Sequence, residues 1–137
     1  MAEAARDAGV ITGEEFAIFQ NSGYMGLYGG LTVDKIHKRK GLSVQDKILD
    51  FMGSTELIAN LFRISQTEEK LKRDAVDNAA DANVTHYSVG HEVRTAIERV
   101  GGTMPEDLPT PEKSISQVER EQLNKLKKEK KRLMLDE

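Results

Sequence analysis

FAIFQNSGYMGLYGGLTVDKIHKRKGL (residues 16–42), followed by KILDFMGSTELIANLFRISQTEEKLKR (residues 47–73), decides the fold. It reads as helices separated by punctuation. Thr12 and Glu15 have the spacing of a capping box, so a helix is predicted from Gly13 toward Asn21, burying Phe16, Ile18 or Phe19. Gly23, Gly26, Gly29 and Gly30 then predict a loop, closed by Thr32 capping a short helix over Val33 to Lys40. Gly41 ends that helix. Ser43 with Asp46 predicts another, in which Val44, Ile48 and Leu49 recur at helical spacing before Gly53. Ser54 or Thr55 opens the most apolar segment. There Leu57, Ile58, Leu61, Phe62 and Ile64 are the expected central core, with Thr67 either a fresh start or a point along one helix to Arg73.

The flanks follow the same pattern. Ala4 to Gly9 reads as the end of an alanine-rich helix with Gly9 as its cap. Ala75 to Tyr87 predicts a polar helix. Ser88 is placed to cap another through Val100, striped by Val89, Val93, Ala96, Ile97 and Val100, and Gly101-Gly102 stops it. TMPEDLPTPEK (103–113) holds all three prolines, so it predicts an extended connector over the domain surface. Ser116 and Glu119 then predict a terminal helix to about Leu133, with Leu123, Leu126 and Leu133 near heptad spacing and Lys130 where an apolar residue is wanted. No useful strand alternation and no internal repeat occur. The expected fold is all-α: a compact multi-helix domain over 1–112, then a lysine-rich helix or tail over 113–137.

Composition narrows the classes. The chain has 137 residues, 38% of them hydrophobic and only 5% aromatic, enough for one aliphatic core. Without cysteine there is no disulfide framework, thiolate nucleophile or cysteine zinc site, which fits a reducing compartment. The start MAEAARDAGV has no apolar signal core and no apolar run is long enough to span a bilayer, so the expected location is cytoplasmic, away from membranes. The net charge of -3 is uneven. Residues 1–112 hold 12 Lys+Arg and 18 Asp+Glu, a balance of -6, whereas 113–137 hold 8 and 5, a balance of +3.

Four features invite a chemical reading. The glycines from Gly23 to Gly30 precede a helix N-terminus, where backbone N–H groups favour anions. They follow a helix, lack a Gly-Lys-Ser/Thr ending and do not match GxGxxG, so a structural turn is the expected role. Lys35, His37, Lys38, Arg39 and Lys40 crowd two helical turns beside Lys47, a density suited to neutralising phosphates. The competing explanation is cations favoured by a helix C-terminus. The helix, GLS turn and second segment from Val33 to Phe51 only loosely resemble a helix-turn-helix. Asp77, Asp81, Asn83, His86 and His91 suggest metal or acid–base work, but the two histidines lie about 140° apart on a regular helix. Only a break near Ser88 rescues that geometry, and capping and inter-helix hydrogen bonds are the main expectation. Finally, Lys125 to Arg132 suits a partner-binding helix, a nucleic-acid arm, half a coiled coil or a solvated terminus. No residue set selects a catalytic constellation or a cofactor.

Longer strings carry a resemblance. FAIFQNSGYMGLYGG, IHKRKGL, MGSTELIANLFR, QTEEKLKRD, NVTHYSVGHEVR and GGTMPEDLPTP, within Ala2 to about Ser116, resemble the C-terminal portion of the DNA-damage-inducible protein D family. The resemblance implies an intracellular bacterial protein of the SOS response that modulates RecA recombinase filaments on DNA and is not an enzyme. Family members carry, ahead of this region, an N-terminal domain resembling phage antirepressor modules. The residues here begin at what looks like the middle of the family protein, and an activity requiring that other half is not expected of them alone.

The resulting expectation is a non-enzymatic domain that binds DNA or a RecA–DNA filament. Its contacts are Lys35, His37, Lys38, Arg39 and Lys40, with Arg63, Lys70, Lys72 and Arg73 as a second set. The alternative is a homo-oligomerisation or regulatory protein-binding module that buries the terminal helix and the aliphatic stripes between chains. A third reading is a metal-dependent nuclease using Asp77, Asp81 and His86.

Overall fold

The computed structural model describes residues 1–135, which form six α-helices and no strand. They are α1 (Ala2–Asp7), α2 (Gly13–Leu27), α3 (Val33–Lys40), α4 (Ser54–Arg73), α5 (Ala79–Arg99) and α6 (Ile115–Leu135). Their ends follow local chemistry. Thr12 and Glu15 exchange side-chain-to-backbone hydrogen bonds at α2, and Thr32 and Asn78 accept from Lys35 N–H and Asp81 N–H at α3 and α5. Gly9 (φ 98°) and Gly41 (φ 70°) turn the chain out of α1 and α3 in the left-handed region open to glycine.

Four boundaries differ from the expectation. Gly23 and Gly26 lie inside α2, and only Gly29 and Gly30 leave it with positive φ. The reason is α5. A Cβ on Gly23 would stand 2.1 Å from His86 Nε2, and one on Gly26 would stand 2.2 Å from the Tyr87 carbonyl oxygen. Gly90 faces them from α5, where a Cβ would come within 2.7 Å of the Gly23 carbonyl oxygen. The glycines are therefore the contact surface of two closely crossing helices, not a loop.

Second, Ser43 to Asp46 is a turn in which the Asp46 carboxylate accepts from Ser43 N–H, and only a 3-10 turn, Ile48–Phe51, follows. The carboxylate folds back on the chain instead of starting a helix, so no helix-turn-helix forms. Third, α5 starts at Ala79 and not at the expected Ala75, which has a φ of 49°, and it then runs unbroken through Ser88, because Gly90 packs it against α2 at the centre of its length. Fourth, α6 begins at Ile115 and not beyond Ser116. Ser114 and Gln117 make the reciprocal cap, while Ser116 N–H and O–H both donate to Asp50 Oδ1.

Residues 103–113 include a 3-10 turn, Pro105–Asp107, whose Pro105 is buried. Two apolar clusters stabilise the domain. One gathers Leu27, Tyr28, Ile36, Ile48, Met52 and Val93, the other Ala5, Ala8, Val10, Phe19, Leu71 and Ala82. α4 passes both, and between them the face it turns inward is polar.

Candidate functional site

The inward face of α4 presents Glu56, Asn60, Arg63 and Thr67, at 1%, 0%, 2% and 0% exposure, whereas Ile58, Leu61 and Phe62 on the opposite face are 66%, 50% and 55% exposed. Glu56, Asn60, Arg63, Thr67 and Leu71 follow one another at steps of four, three, four and four, which places them on one side of a helix. The expectation that Ile58, Leu61 and Phe62 form the core is overturned: of that set, Leu57 alone packs against a core cluster, and Ile64 is half-buried. Buried polar groups persist mainly with partners, and here each of the four side chains has at least one, although Arg63 Nε has none.

The expected cationic set splits. Lys40 Nζ is enclosed and donates to Glu56 Oε1 at 2.9 Å, to the Pro105 carbonyl at 2.7 Å and to the Leu108 carbonyl at 2.6 Å. Its three donors are satisfied. Tyr28 O–H donates to the other Glu56 oxygen, and burial, followed by that hydrogen bond and then the Glu56 charge, pushes the phenol well above its ordinary pKa. His37 is buried between the Val33 and Asp46 carbonyls, at 2.9 and 2.8 Å. Arg39 is exposed and pairs with Asp107. Lys35 and Lys38 are exposed and, like Lys47, have no carboxylate partner among the described residues.

In the second set, Arg63 belongs to the interior. Its guanidinium lies 4.6 Å over the Tyr24 ring and donates to Asn60 Oδ1 and to His86 Nε2. Burial pulls its pKa below the usual arginine value. Because guanidinium only donates and the Phe19 carbonyl on His86 Nδ1 only accepts, His86 is held as the neutral Nδ1–H tautomer. Burial first, and then the Arg63 charge, push its pKa down to about 3. Lys70 and Arg73 make exposed pairs with Asp74 and Glu69, while Lys72 is exposed without a partner among the described residues. From Glu56, beside Lys40, to Lys72 is sixteen residues of α4, roughly 24 Å, so the two expected sets are separate patches.

The histidine and carboxylate set does not converge either. Asp77 and Asp81 accept from exposed Asn78, His86 is enclosed, and His91 stacks outside on Tyr87 at 6.3 Å between ring centroids. Among the described residues no three His, Asp or Glu side chains are placed to hold a metal, and Asp77, Asp81 and His86 are not brought together. Asn83 Oδ1 and Arg63 Nε are buried without a hydrogen-bond partner.

Sequence reasoning saw only half of one surface: the alternative reading buried the aliphatic stripe of α5 between chains, but Ile58 and Phe62 of α4 were expected in the core. The outward face of α4 and the adjoining face of α5 enclose an apolar groove of about 730 Å³, lined by Ile58, Phe62, Val89, Val93, Ala96 and Val100 among others. Its signal was the polar line from Glu56 to Thr67, which competes with the apolar stripe for the interior. Among the described residues no helix is long and apolar enough to cross a membrane.

The fold and these contacts define an all-α domain organised around a buried layer of ion pairs and hydrogen bonds. A family model described as the DinD C-terminal domain matches residues 1–118, and the chain belongs to that family. It is 63% identical over 119 residues to the DNA damage-inducible protein D of Escherichia coli (strain K12), a match that covers 87% of this chain and 43% of that protein. The chain thus spans less than half the length of that relative. No solved structure matches it.

Proposed function

We propose that this domain serves the response to DNA damage as a non-catalytic interaction module, touching DNA or a RecA–DNA filament through its accessible cations. The response is that in the name of the E. coli relative, and the filament is what the family resemblance implies. The observation that carries the reading is the division among the basic residues. Lys35 and Lys38 stand exposed on α3, next to Arg39, without a carboxylate partner among the described residues, and so keep their charge for an outside anion. His37, Lys40 and Arg63 are engaged inside and position the helices that display the others. Lys70, Lys72 and Arg73 form a second and weaker patch, since two of the three are already paired.

The test is binding of the chain to single-stranded DNA, to RecA alone and to the RecA–DNA filament over a salt series. Each phosphate neutralised contributes about 0.7 to 0.9 to the salt slope, so Lys35→Glu with Lys38→Glu lowers that slope by about 1.4 to 1.8 and weakens binding roughly tenfold or more. Unchanged affinity and slope in that variant would remove the proposal.

A further inference from the structure

Among the described residues, two apolar surfaces lack a partner. The first is the groove between α4 and α5, where Ile58, Phe62 and Val100 are exposed beside Val89, Ala96 and Ile97. The second is α6. Among its described residues none is buried, and Leu123, Leu126, Leu133 and Met134 are all more than half exposed. At 100° per residue these four side chains fall within an arc of about 100°, the stripe a helix presents to a groove. Exposed apolar area on this scale marks an interaction surface.

We propose that α6 of one copy seats in the α4–α5 groove of a second copy, reciprocally, so that the chain forms a two-fold dimer. The inference rests on apolar complementarity and is independent of the cationic reading above. Three observations favour a second copy as the occupant. Size fits: the 21 residues of α6 extend about 31 Å, enough to cover the groove from Thr55 to Lys70 along α4, about 22 Å. Charge fits as well: residues 113–137 carry a balance of +3 and residues 1–112 a balance of -6. Locally, Lys130 interrupts the α6 stripe, and Glu92 lines the groove with no cationic partner among the described residues. The root of α6 is anchored outside its own groove, because Ser116 donates twice to Asp50 on the Ile48–Phe51 turn, which does not line the groove, and Ser114 caps the helix there. The contact closes because each copy offers one helix and one groove, which gives two identical seats about a two-fold axis.

Sedimentation equilibrium of the full chain tests this with two exposed substitutions, Leu126→Asp on α6 and Ile58→Asp in the groove. The wild type is expected to be a dimer. Each variant carries its lesion in both seats and is expected to dissociate roughly 100-fold more readily, with an unchanged helical spectrum. An equimolar mixture of the two variants retains one intact seat, α6 of the groove variant in the groove of the α6 variant. It is expected to associate more tightly than either variant alone. A wild-type chain that stays monomeric overturns the proposal, whether its α6 folds back or the groove serves another partner. So does a dimer unaffected by either substitution, or a mixture no tighter than its components.

Discussion

α4 has two faces that reverse the usual assignment, and the contrast between them shows what decides burial in this domain. Inward lie a carboxylate, an amide, a guanidinium and a hydroxyl; outward lie Ile58, Leu61 and Phe62. An apolar side chain left in water forgoes a favourable transfer, but a buried charge without a partner costs more. The inward face is tolerated because Lys40, Tyr28 and Glu56 close one set of hydrogen bonds, and Asn60, Arg63, His86 and the Phe19 carbonyl close another. Charge placement, not hydrophobic content, sets the rotation of α4.

That contrast can be broken in graded steps. Outside the Lys40–Glu56 pair, the largest effect of a single substitution is expected where α2 meets α5. Gly26→Ala places a methyl 2.2 Å from the Tyr87 carbonyl oxygen and prises apart the helices that hold His86 against Phe19. A helical Gly→Ala change ordinarily stabilises by up to about 1 kcal/mol, but here overpacking is expected to cost about 3 kcal/mol in urea unfolding.

A smaller effect is expected from acid. His86 is neutral in the fold with its pKa lowered to about 3, so the unfolded chain takes up a proton that the folded chain refuses. Stability is therefore unaffected by this group above the ordinary histidine pKa and falls as pH drops below it toward 3, by up to about 1.4 kcal/mol per pH unit. His86→Gln should flatten that slope when unfolding midpoints are compared across the window. The smallest effect belongs to the outer face. Ile58→Gln, measured at dilutions where the chain is monomeric, should change stability by no more than about 0.5 kcal/mol. A cost of several kcal/mol there would mean that Ile58 supports the fold.

The legible parts of the sequence were those written in local chemistry. The capping box at Thr12 and Glu15, the cap at Thr32 and the stops at Gly9, Gly41 and Gly101 involve residues a few positions apart, and the helical class followed from them. The illegible parts depend on residues far apart in the chain. Gly23 and Gly26 carry the residue type of a loop, and only Gly90 and His86 across the helix crossing explain them. Lys40 and Arg63 look like surface cations until Glu56 and His86 are brought beside them, which no spacing within KIHKRKGL-like strings announces. Lys35, Lys38 and Lys72 stayed where a solvated cation was expected. The groove was legible only on its α5 side, because the apolar stripe of α4 reads as core until Glu56, Asn60, Arg63 and Thr67 are seen to take the interior.

α4 is held inward by mutually partnered polar groups, and a double-substitution cycle on Lys40 and Glu56 is the sharpest check of that arrangement. Lys40→Met and Glu56→Leu should each cost about 3 to 5 kcal/mol in urea unfolding, because each strands the other's buried charge. The double variant should recover at least half of the summed loss, since no uncompensated charge remains. Additive losses, or single losses below about 1 kcal/mol, would mean that the Lys40–Glu56 pair does not set the position of α4.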